Sequence, residues 1–239
     1  MKATPTNVGV QASPSWFRRD WFWGLILILF VILAYAPIWH AGFIWDDDVV
    51  LTGNPCIIGM ASWQRTGVFK SEEILWSDTL AKYPDCWVGY NNLGNALLQN
   101  GQLGEAIAKL QRAVQIYPDY AVGHYNLGVV LFREGKFDDA LAEFEKAVKL
   151  NPNYAEAHTN LGLALVQKGQ RRAAIEQYQM ALKINPIFAL AHANLGVAFF
   201  QNGQLDDAIA QFQEALRLNP NLSGVRDSIA KAKDLKSKK

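Results

Sequence analysis

Four groups of side chains in this sequence have types and spacings that could do chemistry. Asp46, Asp47 and Asp48 are three consecutive carboxylates, a set suited to a metal ion or to acid/base work. His124, His158 and His192 recur every 34 residues, and imidazole is a frequent metal ligand. Asn92, Asn126, Asn160 and Asn194 recur at the same interval, each bringing an amide that both donates and accepts. Cys56 and Cys86 could join where the surroundings are oxidising. No nucleophile triad, phosphate loop or zinc cluster accompanies them. The expectation is a protein that is not an enzyme and needs no cofactor and no metal.

Composition narrows the classes further. The 239 residues are half hydrophobic and carry a net charge of +1. A wholly disordered chain and a globally basic protein that coats nucleic acid are both excluded. Two cysteines exclude a disulfide scaffold. The averages describe a bland soluble domain, but the arrangement does not.

Residues 21–39 read WFWGLILILFVILAYAPIW, nineteen residues with no charge. As a helix they cover roughly 28 Å, close to the hydrocarbon thickness of a bilayer, and they lack a polar face. Tryptophans crowd both ends as interfacial belts do. An uncleaved anchor is preferred over a signal peptide, because Pro37 would follow the Ala34-Tyr35-Ala36 triplet at the cut. Arg18 and Arg19 before the span place residues 1–20 in the cytoplasm and the remainder outside it, in periplasm or lumen. An acidic loop follows over 40–70.

From residue 87 the sequence copies itself every 34 residues, over 87–120, 121–154, 155–188 and 189–222. Leu-Gly recurs at the seventh and eighth places, alanine at the twentieth and twenty-seventh. Leu110, Phe144, Tyr178 and Phe212 stand at the twenty-fourth, and proline closes each unit. Residues 71–86 fit a second helix alone, a half unit, and 223–239 a capping helix with a basic tail. The spacing predicts a helix pair per unit, brought close by the small residues. Turn glycines Gly101, Gly135, Gly169 and Gly203 should end the first helix in a left-handed conformation. Equivalent residues of successive pairs lie on the order of 10 Å apart. Metal ligands must lie within about 2 Å of one centre, so the histidines read as packing residues.

This period and pattern resemble the tetratricopeptide repeat. The resemblance implies an all-α fold, a right-handed superhelix of helix pairs after one transmembrane helix, with the first helices lining a concave groove. Segments such as AEAHTNLGLALVQKGQ at 155–170 are similar to the repeats of O-linked N-acetylglucosamine transferase, whose asparagine ladder holds peptides. That likeness implies a peptide-contacting role for Asn92, Asn126, Asn160 and Asn194. The alternative is that asparagine is simply the common residue at the sixth place. Phe132, Val166 and Phe200, with Val129, Leu163 and Val197 nearby, would add an apolar stripe to the groove.

The loop has its own resemblance. Phe43-Ile44-Trp45-Asp46-Asp47-Asp48, followed by Leu51-Thr52-Gly53-Asn54-Pro55, resembles the first extracytoplasmic loop of GT-C glycosyltransferases that carry tetratricopeptide repeats. In that family an acidic pair in this loop lies at the active site. The family's many further membrane helices have no counterpart here, so Asp46, Asp47 and Asp48 read as a relic. The expected function is a membrane-anchored module that captures a protein or peptide segment, within a possible membrane complex and with no nucleic acid. The alternative is a truncated or accessory part of a GT-C protein glycosyltransferase.

Overall fold

A computed structural model describes residues 71–238. The expected span at 21–39, the acidic triplet and Cys56 lie outside the described residues. Among the described residues there are ten helices and no strand: α1 Glu72–Lys82, α2 Trp87–Gln99, α3 Leu103–Ile116, α4 Ala121–Arg133 and α5 Phe137–Leu150. Then come α6 Ala155–Gln167, α7 Arg171–Ile184, α8 Ala189–Gln201, α9 Leu205–Leu218 and α10 Val225–Ser237. None is long and apolar enough to cross a membrane.

Backbone chemistry punctuates each pair. At the end of α2, Gly101 takes φ 77°, and the Gln102 N–H reaches back to the Leu97 carbonyl at 2.9 Å. Lys136, Gln170 and Gln204 repeat this bond after Gly135, Gly169 and Gly203. It satisfies carbonyls that the helix leaves unpaired. A Cβ at those four glycines would meet nothing within 4 Å, so only the backbone conformation requires glycine there. The second helices end in a proline turn. In three of them an asparagine (Asn151, Asn185 or Asn219) accepts from the backbone N–H two residues on.

Each first helix packs on its own second helix, which packs on the next unit. The seam inside a unit depends on the eighth-place glycine. A Cβ on Gly162 would stand 2.4 Å from the ring of Tyr178, and one on Gly128 or Gly196 2.7 or 2.6 Å from Phe144 or Phe212. Those three rings are 1% exposed, so they have nowhere to move. The twentieth- and twenty-seventh-place alanines, Ala106 to Ala215, are wholly buried on the same seam. The core runs without a break from Trp76 of α1 to Ala198 of α8, and a second cluster joins α8, α9 and α10. Trp76 and Thr79 close one end of the stack, and Val225 and Ala232 the other.

The histidines join units through hydrogen bonds. Nε2 of His124, His158 and His192 meets the carbonyl of Pro118, Pro152 and Pro186 in the preceding unit, at 2.8, 3.0 and 3.0 Å. Their Nδ1 atoms meet Glu143, Gln177 and Gln211 on the second helix of their own unit. Each ring therefore fastens three segments. On α10 the same register place is Arg226, whose guanidinium donates to the Pro220 carbonyl at 3.0 Å. The lysine tail is also partly engaged: Lys236 pairs with Asp206 of α9, and Lys238 with Asp234.

Unit 2 differs in chemistry. His124 contacts a carboxylate, Glu143, at 2.5 Å, and Lys146 binds the same carboxylate at 2.8 Å. Burial pushes the Glu143 carboxyl up, but the bonds and charges of His124 and Lys146 outweigh it and hold it below the ordinary carboxylate range.

Two outcomes are expected. Gly162→Ala lowers stability by about 1–3 kcal/mol, because the buried Tyr178 ring cannot yield. Gly94→Ala falls in the same range, since a Cβ there would stand 2.6 Å from Cγ of Leu110, which is wholly buried; urea unfolding of both variants checks the losses. A carboxylate with a lowered folded pKa stabilises above its unfolded value and loses that contribution as pH falls. Glu143→Gln, which copies units 3 and 4, therefore flattens the loss of thermal stability below about pH 4.5. Melts between pH 3 and pH 7 (the order of a carboxylate titration) would show no change in slope if the pairing contributes nothing.

Candidate partner-binding face

The first helices α2, α4, α6 and α8 touch one another directly from unit to unit, more closely than the second helices do. They therefore lie on the inner side of the stack. At 100° per residue, their second, sixth, ninth and thirteenth places share one stripe. On α8 that stripe is Leu190, Asn194, Val197 and Gln201, flanked by buried Ala191 and Ala198. Leu190 and Val197 are 45% and 41% exposed, whereas Val122 and Val129 in the same places on α4 are half-buried.

The four asparagines do stand in register on this face, each half-buried, but not all are equally available. Nδ2 of Asn126 donates to Oδ1 of Asn91 at 2.9 Å, and Nδ2 of Asn160 to the Tyr125 hydroxyl at 3.1 Å. Both bonds join the sixth place of one unit to the fifth place of the unit before. Burial, followed by the charge of Glu156, pushes the Tyr125 phenol up from its ordinary value, so it stays neutral and accepts. Oδ1 of Asn92 accepts from Asn91 at 3.2 Å. The asparagines of α4 and α6 thus hold adjacent units together while their side-chain oxygens remain as acceptors.

Asn194 breaks the pattern. The fifth-place residue before it is Thr159, 1% exposed, whose hydroxyl donates to the Ala155 carbonyl of its own helix at 2.9 Å. Nδ2 of Asn194 is buried with no hydrogen-bond partner, the one such side-chain atom among the described residues. The sequence showed four equivalent amides; the difference depends on the residue 35 positions earlier, which only a cross-repeat pairing brings into play.

The twelfth-place residues are less open. Phe132 sets its ring edge against Phe137 at 5.1 Å, and Val166 packs against the main core. Phe200 packs against the cluster that holds Phe212. All three are half-buried between helices, at the margin of the face. Sequence reading did not single out Leu190 or Ile187, the latter 72% exposed in the turn that leads into α8. Their signal was the second place of the repeat, which turns from Val122 to Glu156 to Leu190 along the stack.

Of the other candidate groups, Asp46, Asp47 and Asp48 lie outside the described residues. Cys86 is disulfide-bonded and buried, and its sulfur accepts from the Gly89 N–H at 3.3 Å to cap α2. Its neighbour Trp87 packs its ring on Tyr117 and Tyr120 at 5.0 and 4.5 Å. No cluster of His, Cys, Asp and Glu among the described residues could hold a metal.

The model of the tetratricopeptide repeat matches residues 159–223, and a second TPR repeat model matches 94–135 and 130–169. No curated protein sequence matches at a significant level. Among solved structures, MamA is 28% identical, with a TM-score of 0.58, over 62% of this chain and 86% of its own. PilF of Pseudomonas aeruginosa is 27% identical, with a TM-score of 0.59, over 64% of this chain and 69% of its own. A thermophilic TPR protein of Thermus thermophilus is 26% identical, with a TM-score of 0.55, over 67% and 88%. Together the matched segments take in residues 94–223, the same stretch in which glycine, ring and histidine recur at fixed places. The chain belongs to the tetratricopeptide repeat family.

Proposed function

We propose that this protein is a membrane-anchored interaction module that captures a segment of a partner protein along the inner face of its first helices. The observation that carries the reading is the aligned row of sixth-place amides, with exposed Leu190 and Val197 beside it on α8. A packed solenoid satisfies its own backbone within helices, so a line of side-chain amides on one face can meet another chain's backbone. The oxygens of Asn126 and Asn160 suit N–H donors, and the nitrogen of Asn92 suits a carbonyl.

Anchoring through residues 21–39 confines the search for partners to the membrane surface and raises their effective concentration. The repeats stand on the extracytoplasmic side, with residues 1–20 in the cytoplasm. Disulfide bonding at Cys86 supports that side, because such bonds persist in oxidising compartments. Binding rather than catalysis is the function of the described face, which is built from amides and aliphatic side chains.

Two measurements test this reading. Alanine at Asn92, Asn126, Asn160 and Asn194 together should lower partner recovery in a membrane crosslinking pull-down while helical content is retained. Undiminished recovery would rule out capture by the amide row. In sealed membrane vesicles, protease should spare residues 87–239 when the cytoplasmic side faces outward, and the intact chain should run faster on a non-reducing gel than after reduction. Digestion of the repeats in such vesicles contradicts the orientation.

A further inference from the structure

α1 is a second helix with no first helix among the described residues. In units 2 to 4 the ring at the twenty-fourth place lies on the glycine of its own first helix. Trp76 holds that place on α1 and Thr79 the twenty-seventh, and the described helix that α1 packs on is α2, in the next unit. Both residues are nevertheless 5% exposed. A buried core residue touches about six to twelve others, and a single neighbouring helix supplies them from one side.

Cys86 points to what stands on the other side. It is disulfide-bonded, and the chain has one other cysteine, Cys56. Carried back one period, the repeat register opens a unit at 53–86, with Cys56 at its fourth place and Cys86 at its thirty-fourth. The described units bring those places together. Tyr120 at the thirty-fourth place meets Trp87 at the first at 4.5 Å, and Tyr154 meets Tyr125 at the fifth at 4.9 Å. A disulfide requires Cα atoms about 5.5–6 Å apart, so a bridge can replace the aromatic contact that closes units 1 and 2.

The sequence before Ser71 keeps further places of the repeat. Ser62 stands at the tenth, which buried alanine or valine holds elsewhere, and Trp63 at the eleventh, where Leu97, Leu131 and Leu165 are buried. Gly67 falls at the fifteenth, the place of the left-handed turn glycines. Pro55 falls at the third, within the first turn of a helix, where its missing N–H costs nothing. Two features depart. Met60 replaces the eighth-place glycine, and α1 begins at Glu72, three residues later in the register than its counterparts, behind a Ser71 cap. A thioether against the larger ring of Trp76 suits the wider spacing that follows.

We propose that residues 54–66 of this chain dock as a helix on the Trp76–Thr79 face of α1 and are fastened there by a Cys56–Cys86 disulfide. The segment 71–86, which reads as a half unit in the sequence, is then the second half of a fifth, divergent unit. Met60 and Trp63 cover Trp76 and Thr79, and the inner face gains one more first helix. Reduction of a single bond loosens that helix without touching the four units behind it.

The full chain, purified in mild detergent without reductant, tests this. Non-reduced tryptic mapping should yield Cys56 and Cys86 in one linked peptide, and free thiols or a bond between two chains would overturn the bridge. Hydrogen exchange separates a packed helix from a loop held by one bond. Amides of residues 57–65 should exchange at least about tenfold more slowly than a free chain, and exchange at free-chain rates would overturn the docking. Trp63→Ser should speed exchange at least about tenfold in both 57–65 and α1 while α6 to α9 stay unchanged. An α1 that keeps its protection in this variant would overturn the contact with Trp76 and Thr79. Should Trp63→Ser fail to fold, Cys56→Ser carries the same comparison, because it removes the bond and leaves the sulfur of Cys86 to cap α2.

Discussion

The approach of two helices over a missing side chain is what the remaining structure depends on. In each unit the eighth residue must lack a Cβ so that the twenty-fourth residue can lie flat on the first helix. Gly128 under Phe144, Gly162 under Tyr178 and Gly196 under Phe212 repeat this contact to within a few tenths of an ångström. The contact sets how near the second helix stands, and with it which residues are left for the neighbouring unit. Burying a large ring against backbone removes much apolar surface from water, so the same contact contributes to the stability of units 2 to 4. The alanines at the twentieth and twenty-seventh places are fully buried on the same seam.

Most of this fold was legible because a repeat shows its contacts four times over. Gly101, Gly135, Gly169 and Gly203 revealed the turns, and the proline and ring registers revealed the pairs. The histidines were legible only in part: spacing excluded a metal, but the two bonds of each ring depend on a proline six residues earlier and a residue nineteen later. The candidate face was the least legible. Asn194 looks identical to Asn126 and Asn160 in its own repeat, and the difference lies with Thr159 against Asn91 and Tyr125 on the helix before. A pattern read within one period cannot register what happens between periods.

The same amide position therefore has two uses. In units 2 and 3 it ties a helix to its predecessor, which explains the recurrence of asparagine without any ligand. In unit 4 that tie is absent, and the exposed side chains next to it are aliphatic rather than charged or half-covered. A surface made by repetition acquires specificity where the repetition fails, and here the failures of the second, fifth and sixth places fall together.

The bond from each fourth-place side chain to the proline carbonyl of the preceding unit has a direction. The first three units each offer a proline carbonyl at their end and the second to fourth each bring a histidine donor near their start, so the stack is a chain of like couplings with a head and a tail. Arg226 on α10 supplies the same kind of donor from a guanidinium in place of an imidazole, so the coupling does not depend on histidine itself. Such a series can gain or lose a whole period at any internal junction and still join the same acceptor to the same kind of donor. Its length is thus a variable that duplication can change without inventing a new interface.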